Sequence, residues 1–256
     1  MLDFTLDKYI ELCKTIIDSG YTSVSVRTYL EDRQNRCVVI RHDVDRKPEH
    51  AMKMAEIEKE FGINSTYYFR TTASVFKSDI IMAINNLGQE IGYHYEVLDK
   101  TKGDFEEAIK LFENELKEFR KMCDVKTICM HGNPLSKWVN KDLWNEYDFR
   151  DFGIIGEPYL SIDYEKVLYL TDTGRGWNNT RYSVKDTVDA DSVYRVKYTD
   201  DVIDLLKNET LGQICISAHP ERWSDNFGSW LWDMVWQNVK NVGKAGIVKY
   251  RKSFHD

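Results

Sequence analysis

The chain has little of what marks non-globular proteins. Only 4 of its 256 residues are proline and 14 are glycine, which excludes a collagen-like repeat and a Pro-rich linker. Five cysteines (Cys13, Cys37, Cys123, Cys129, Cys215) form no C-x-x-C pair, and Cys37, Cys129 and Cys215 lie inside apolar runs. That usage suits small buried hydrophobes in a reducing compartment rather than a disulfide framework. No apolar run approaches the roughly 18–20 residues that span a bilayer. Met1 to Asp7 carry no basic region of the kind that opens a secretory signal. The expectation is therefore a cytoplasmic protein without membrane contact. Lys and Arg are scattered through a chain of net charge −7, so the electrostatic footprint of a nucleic-acid partner is missing. Neither G-x-G-x-x-G nor G-x-x-x-x-G-K-[ST] occurs, which argues against dinucleotide and P-loop chemistry. There is no low-complexity tract and no repeat of 20–50 residues.

What remains is an ordinary globular composition, 42% hydrophobic and 30% charged, long enough for one sizeable core. Seven Trp and 15 Tyr make it aromatic-rich, a trait that serves cores and carbohydrate sites alike. Strand and helix patterns alternate. Cys37–Arg41 is an apolar run. Pro48–Phe61 reads as a helix with proline in its first turn and Gly62 after it. Ser65–Phe69 is β-rich, Ser78–Leu87 is helical, and Glu90–His94 is a strand. Phe105, Ala108, Ile109, Phe112, Leu116, Phe119 and Met122 recur at threes and fours, predicting a helix over Asp104–Met122 with Asp104 and Glu107 as its capping pair. Strands at Thr127–Met130, Phe152–Ile155, Lys166–Leu170 and Gln213–Ser217 follow. Helices near Asn140–Tyr147, Asp200–Lys207 and Gly228–Val242 lie among them, and Thr171–Ser192 is irregular. This βαβαβα run predicts a parallel sheet covered by helices, and about seven strands suit a barrel. Residues 1–34 read as a helix (Leu6–Ser19) plus a connector packed on that barrel, which takes residues 35–256.

Active sites of parallel α/β folds gather at the C-terminal ends of the strands, and this chain's chemistry gathers there too. Successive strand ends carry Arg41-His42-Asp43-Val44-Asp45, His94-Tyr95-Glu96, His131-Gly132-Asn133-Pro134, Glu157, Asp172 and His219-Pro220-Glu221-Arg222-Trp223. Of six histidines, only His50 and His255 lie elsewhere. Imidazole and carboxylate together suit Zn²⁺, and also Mn²⁺, Fe²⁺, Co²⁺ or Ni²⁺. Asp43 and Asp45 share one turn, so one can ligate an ion while the other acts as base on a water whose pKa the ion lowers to about 7. A histidine across the site, His219, can protonate a leaving amine or alcohol, tuned by Glu221 or Arg222. Arg41, Arg175 or the backbone after His131 can stabilise an oxyanion. Trp177, in the irregular Thr173–Trp177 stretch, is a candidate lining residue.

Four segments resemble the polysaccharide deacetylase (NodB-homology) superfamily, which includes carbohydrate esterase family 4. They are Arg41–Asp45, Gly88-Gln89-Glu90-Ile91-Gly92-Tyr93-His94-Tyr95-Glu96, Met130–Pro134 and Ser217–Pro220. The resemblance runs from about Val38 to Trp223 and implies a distorted (β/α)7 barrel with metal-dependent deacetylase chemistry. It implies Asp43 as general base, Asp45 and His94 as metal ligands, and His219 as general acid. Two departures stand out. The family's second ligand histidine, four residues after the first, is Leu98 here. His131 is the replacement of choice and Glu96 the second. The family's Arg-x-Pro-Tyr segment is absent, with His131, Asn133 and Pro134 in its place, which argues against chitin- or peptidoglycan-type polymers.

The expectation is a metal-dependent hydrolase that removes an N-acetyl group from a sugar or nucleotide-sugar in surface-glycan synthesis. Arg41, Glu96, Asn133, Glu157, Asp172, Arg175, Trp177 and Arg222 are its candidate substrate contacts. Two alternatives are a cyclic amide or imide hydrolase of the same superfamily and a catalytically silent glycan- or partner-binding relative, which the Leu98 departure motivates. A metal-dependent sugar isomerase fits the motif order less well.

Overall fold

The structure is a computed structural model that describes residues 2–177, 194, 196–208, 211–225, 228, 230–232 and 234. Seven strands form one parallel sheet: β1 (Thr22–Val24), β2 (Cys37–Val44), β3 (Thr66–Phe69), β4 (Glu90–Tyr95), β5 (Ile128–Met130), β6 (Val167–Thr171) and β7 (Gln213–Ala218). Their order is β5-β4-β3-β2-β7-β6, with β1 beside β2. The sheet curls into a half-barrel, with β5 and β6 as the two ends of the order. The expected α/β barrel is thus present in distorted, open form.

Parallel strands need crossovers, and helices supply them. Helix α1 (Leu6–Asp18) precedes the first strand; the connecting helices are α2 (Val26–Glu31), α3 (Pro48–Glu60), α4 (Ser78–Asn86), α5 (Val97–Lys100), α6 (Phe105–Arg120), α7 (Pro158–Ser161) and α8 (Thr199–Asn208). Helix α6 follows the reading of its sequence. The Asp104 side chain accepts from the Glu107 N–H at 3.0 Å, and Ala108, Phe112, Leu116 and Phe119 are its buried stripe. All eight residues of β2 are buried, as expected of a strand covered on both faces. Its even-numbered residues Val38, Ile40 and Val44 pack outward beneath the helices. Val39 packs inward with Tyr68, Cys129, Tyr169 and Cys215. All five cysteines are buried thiols.

Two sequence expectations change. Phe152–Ile155 is not a strand: Phe149–Phe152 is a 3-10 turn, capped when the Asp148 side chain accepts from the Arg150 N–H. Gly153 then adopts φ 69°, which ends the apolar run before it can extend. Gly156 keeps one bridge to Thr127. The Asn140–Tyr147 helix is a 3-10 turn over Asn140–Asn145. In the first 34 residues, the connector contains β1, which pairs with the first half of β2 (Thr22 opposite Cys37). Gly228, Trp230–Trp232 and Met234 are helical. The rest of the Gly228–Val242 reading, with Trp236, lies outside the described residues, as do positions 178–192 of the irregular stretch and His255. Among the described residues no helix is long and apolar enough to cross a membrane.

Gly92 marks a tight contact between β4 and the barrel interior. A Cβ there would lie 2.3 Å from the Tyr68 ring and 3.1 Å from the Thr127 carbonyl oxygen. Gly92→Ala is expected to cost roughly 1–3 kcal/mol by overpacking, read as a lower urea midpoint with unchanged slope. A midpoint equal to wild type would show that the ring can move aside freely.

Candidate active site

The end of β2 sorts its side chains by the two-residue period of a strand. Arg41 and Asp43 turn inward. Arg41 is completely buried. Its Nη1 donates to Cys129 Sγ at 2.7 Å, and Nη2 donates to the Tyr159 and Tyr169 hydroxyls at 2.7 and 3.3 Å. Its guanidinium lies over the Tyr159 ring at 4.6 Å. The same Nη2 is 3.3 Å from Asp43 Oδ2. Burial opposes the charge, but Asp43 and the surrounding polar atoms outweigh it and keep the guanidinium ionised. Arg41, expected as a substrate contact, is therefore buried beneath Asp43 among these partners. His42 turns outward. It donates from Nε2 to Glu58 Oε1 at 2.7 Å and stacks on Tyr67 with centroids 4.3 Å apart. Glu58 also accepts from Tyr67 and Ser65, each at 2.7 Å. Of the four strand-end histidines, His42 thus belongs to a buried network between α1, α3 and the sheet.

Asp45, His94 and His131 come together above Arg41. Asp45 Oδ1 lies 3.0 Å from His131 Nδ1 and 3.5 Å from His94 Nε2, and the two ring nitrogens are 3.4 Å apart. One potential ligand atom from each lies within 4.8 Å of the others. His94 Nδ1–H donates to the Cys129 carbonyl at 2.9 Å. That bond turns Nε2 toward Asp45, the usual arrangement behind a ligating histidine. Asp45 Oδ1 is buried without a hydrogen-bond donor. Burial would raise its pKa, but His131 and His94 hold it well below the carboxylate range. An orphaned carboxylate oxygen facing two imidazoles fits a divalent ion in a three-ligand site with an open position. Asp43, His94 and Cys129 form a second such group, deeper and fully buried.

His219 stands just past the end of β7, the strand next to β2. Its Nδ1–H donates to Asp172 Oδ1 at 2.7 Å, and its backbone N–H donates to Asp172 Oδ2 at 2.9 Å. Asp172 also accepts from Arg222 Nη1 at 2.6 Å and Trp223 Nε1 at 3.0 Å. Burial works against its charge, but Arg222 and His219 outweigh it and hold the carboxyl at about 2. Burial and Arg222 also oppose an imidazolium at His219, yet Asp172 lifts that group above its ordinary value. Asp172 and Arg222, expected as substrate contacts, instead orient His219.

Other expected contacts are spoken for. Glu96 is held by Arg70 at 2.6 and 3.3 Å and approached by Lys100 at 3.6 Å. It lies outside the group of Asp45, His94 and His131, and Leu98 is buried in α5. Glu157 is fully buried and accepts from the N–H groups of Met130, Tyr159 and Leu160. It caps α7, and burial pushes its carboxyl up to about 7. Trp177 is 2% exposed, stacks near Phe4 and donates to Thr199 Oγ1 at 3.0 Å. It is core, not a sugar platform. Arg175 donates to the Trp230 carbonyl and faces the Phe4 and Trp230 rings. Asn133 accepts from the Leu135 N–H in the loop after His131. Arg70, at the end of β3, was missed although the strand-end rule could have found it. It also donates to the Asp45 carbonyl at 3.5 Å. Cys129 was read as filler, yet its carbonyl orients His94.

No family model matches the chain, and no curated protein does. One solved structure of similar course is the Xyl-CE4 domain of a multidomain xylanase from the hindgut metagenome of Trinervitermes trinervoides. It shares 14% identity over 80% of this chain and 83% of that chain, with a TM-score of 0.35. So loose a likeness carries no argument about the site.

Asp172 contributes stability that is full above its ordinary value of 3.8 and is lost as the pH falls through about 2. Asp172→Asn is expected to lose about 2 kcal/mol at pH 7, measured by urea denaturation. The gap to wild type should narrow between pH 4 and pH 2. A gap independent of pH would contradict the charged pairing.

Proposed function

We propose that this chain is a metal-dependent hydrolase of amide or ester bonds, acting as a deacetylase on a small N-acetylated sugar or nucleotide-sugar in the cytoplasm. One observation carries the reading: Asp45, His94 and His131 converge at the C-terminal edge of a parallel sheet, with the Asp172-bound His219 just past the end of β7, the strand beside β2. The motifs at those same strand ends support the deacetylase class.

In this reading Asp45, His94 and His131 hold the ion. When bound, a divalent ion acidifies water and polarises a carbonyl. Asp43 takes the proton from the attacking water, and Arg41 at 3.3 Å holds its carboxylate in place. The water oxygen bonds to the acyl carbon and the carbon–nitrogen bond breaks. His219 gives its proton to the departing amine, leaving a carboxylic acid and an amine; the acid then releases its proton to solvent. Because Nδ1–H is committed to Asp172, the proton leaves from Nε2 and the imidazole does not rotate. The raised pKa of His219 favours the protonated form that a general acid needs at neutral pH.

Elemental analysis of purified protein is expected to find about one equivalent of a transition metal, lost in an Asp45→Ala/His94→Ala double variant. A screen of acetylated sugars and nucleotide-sugars should then show release of acetate. Asp43→Asn and His219→Ala should each lower turnover at least about 100-fold while still folding, as read by circular dichroism. A wild-type protein that takes up neither Zn²⁺, Co²⁺ nor Ni²⁺, or full activity in both variants, would overturn the proposal.

A further inference from the structure

His94 lies inside β4, but His131 lies one residue past the end of β5, where strand pairing no longer fixes the chain. Its backbone is nonetheless held on both sides. The His131 N–H donates to the Tyr95 carbonyl at 2.8 Å, just beyond the last rung of β4 and β5, Tyr95 opposite Met130. The His131 carbonyl accepts from Asn140 Nδ2 at 2.9 Å.

Asn140 is 1% exposed and opens the 3-10 turn Asn140–Asn145. Its amide makes two further bonds, both to Asp99 in α5. Oδ1 accepts from the Asp99 N–H at 3.2 Å, and Nδ2 donates to Asp99 Oδ2 at 3.1 Å. The Glu96 side chain, which precedes α5, does not cap that helix, so Asn140 satisfies one of its open N–H groups. The same bond settles which amide atom is the oxygen. A flipped amide would set its oxygen against a carbonyl and a carboxylate, and its NH₂ against an N–H. The side chain therefore has one orientation, and that orientation puts a donor on His131. The loop between the two residues is tied to the same place. Gly103, shortly after α5, has φ 85°, and a Cβ there would come within 2.4 Å of the Trp138 ring.

We propose that Asn140 is a positioning residue of the metal centre: by tying the His131 carbonyl to Asp99, it aims the His131 imidazole at the ion shared with Asp45 and His94. The inference rests on the metal site of the proposed function. Without the amide, the peptide between His131 and Gly132 gains freedom to turn, because glycine tolerates most backbone angles. His131 Nδ1, 3.0 Å from Asp45 Oδ1, would then sample positions away from the ion. Groups that orient a ligand in this way typically account for about 10–100-fold in metal affinity.

A double-mutant cycle tests this. Zn²⁺ affinity is measured by competition with a chromophoric chelator, and Co²⁺ binding through its visible bands, in wild type, Asn140→Ala, His131→Ala and the double variant. Asn140→Ala is expected to weaken Zn²⁺ binding about tenfold or more and to alter the Co²⁺ bands. In the His131→Ala background the same substitution should change affinity less than about twofold, because the histidine it acts through is gone. A side chain that merely held the fold together would weaken binding equally in both backgrounds, and that result would overturn the inference. Unchanged affinity and spectrum in Asn140→Ala would also overturn it and leave the metal site standing. Asn140→Asp keeps the size of the side chain and its acceptor and loses only the donor. It should repeat the difference between the two backgrounds, and it carries the test if circular dichroism shows Asn140→Ala to be unfolded. A wild type that binds neither ion would overturn both the inference and the metal site.

Discussion

Strand β2 pairs with β1, β3 and β7, and its two-residue alternation separates scaffold from chemistry. The outward residues, Val38, Ile40, His42 and Val44, face the covering helices. The inward residues end in Arg41 and Asp43, and the strand stops one residue before Asp45. A shift of one residue in register would exchange the two sets. It would put His42 in the barrel and Asp43 under the helices, where Glu58 already stands. The fully buried pair of His42 and Glu58 works against such a shift, because a one-residue slip would leave a charged carboxylate without its partner. The pair therefore helps to set the register that aims Asp43 and Asp45.

The second half of the site depends on the N-terminal segment meeting the turn after β7. Phe4 and Leu6 exchange backbone hydrogen bonds with Ser224, and His50 Nδ1–H donates to the Trp223 carbonyl. Trp223 packs edge-on against Phe4 and Tyr9, with centroids 5.2 and 5.1 Å away. Its indole N–H reaches Asp172, which orients His219. The N-terminal segment thus braces the turn that carries His219, Glu221 and Arg222.

Much of this was legible from residue type and position. Short apolar runs ending in polar residues located the strands, and the strand-end rule picked out Asp45, His94, His131 and His219. Of the two residues weighed for the place where Leu98 cannot ligate, His131 lies 3.0 Å from Asp45 Oδ1, and Glu96 pairs with Arg70. Side-chain direction was harder to read. His42 and Asp43 are adjacent, and nothing in their identities says which one turns inward. Arg41 and Glu157 looked like mouth residues because they are charged. Burial makes one a plug and the other a helix cap, roles set by partners far along the chain. Phe152–Ile155 had the composition of a strand, but Asp148 and Gly153 impose a turn whose local hydrogen bonds win over so short a run. Trp177 lies in an irregular stretch, and only the approach of Phe4 and Thr199 shows it to be core.

The most direct test is X-ray absorption at the zinc edge on the protein loaded with one equivalent of Zn²⁺. The expected spectrum contains two imidazoles at about 2.0–2.1 Å and otherwise oxygen, and His131→Ala should remove one imidazole. A sulfur shell near about 2.3 Å would place the ion in the deeper group of Asp43, His94 and Cys129. That result, or a spectrum unchanged in His131→Ala, would contradict a centre built on Asp45, His94 and His131.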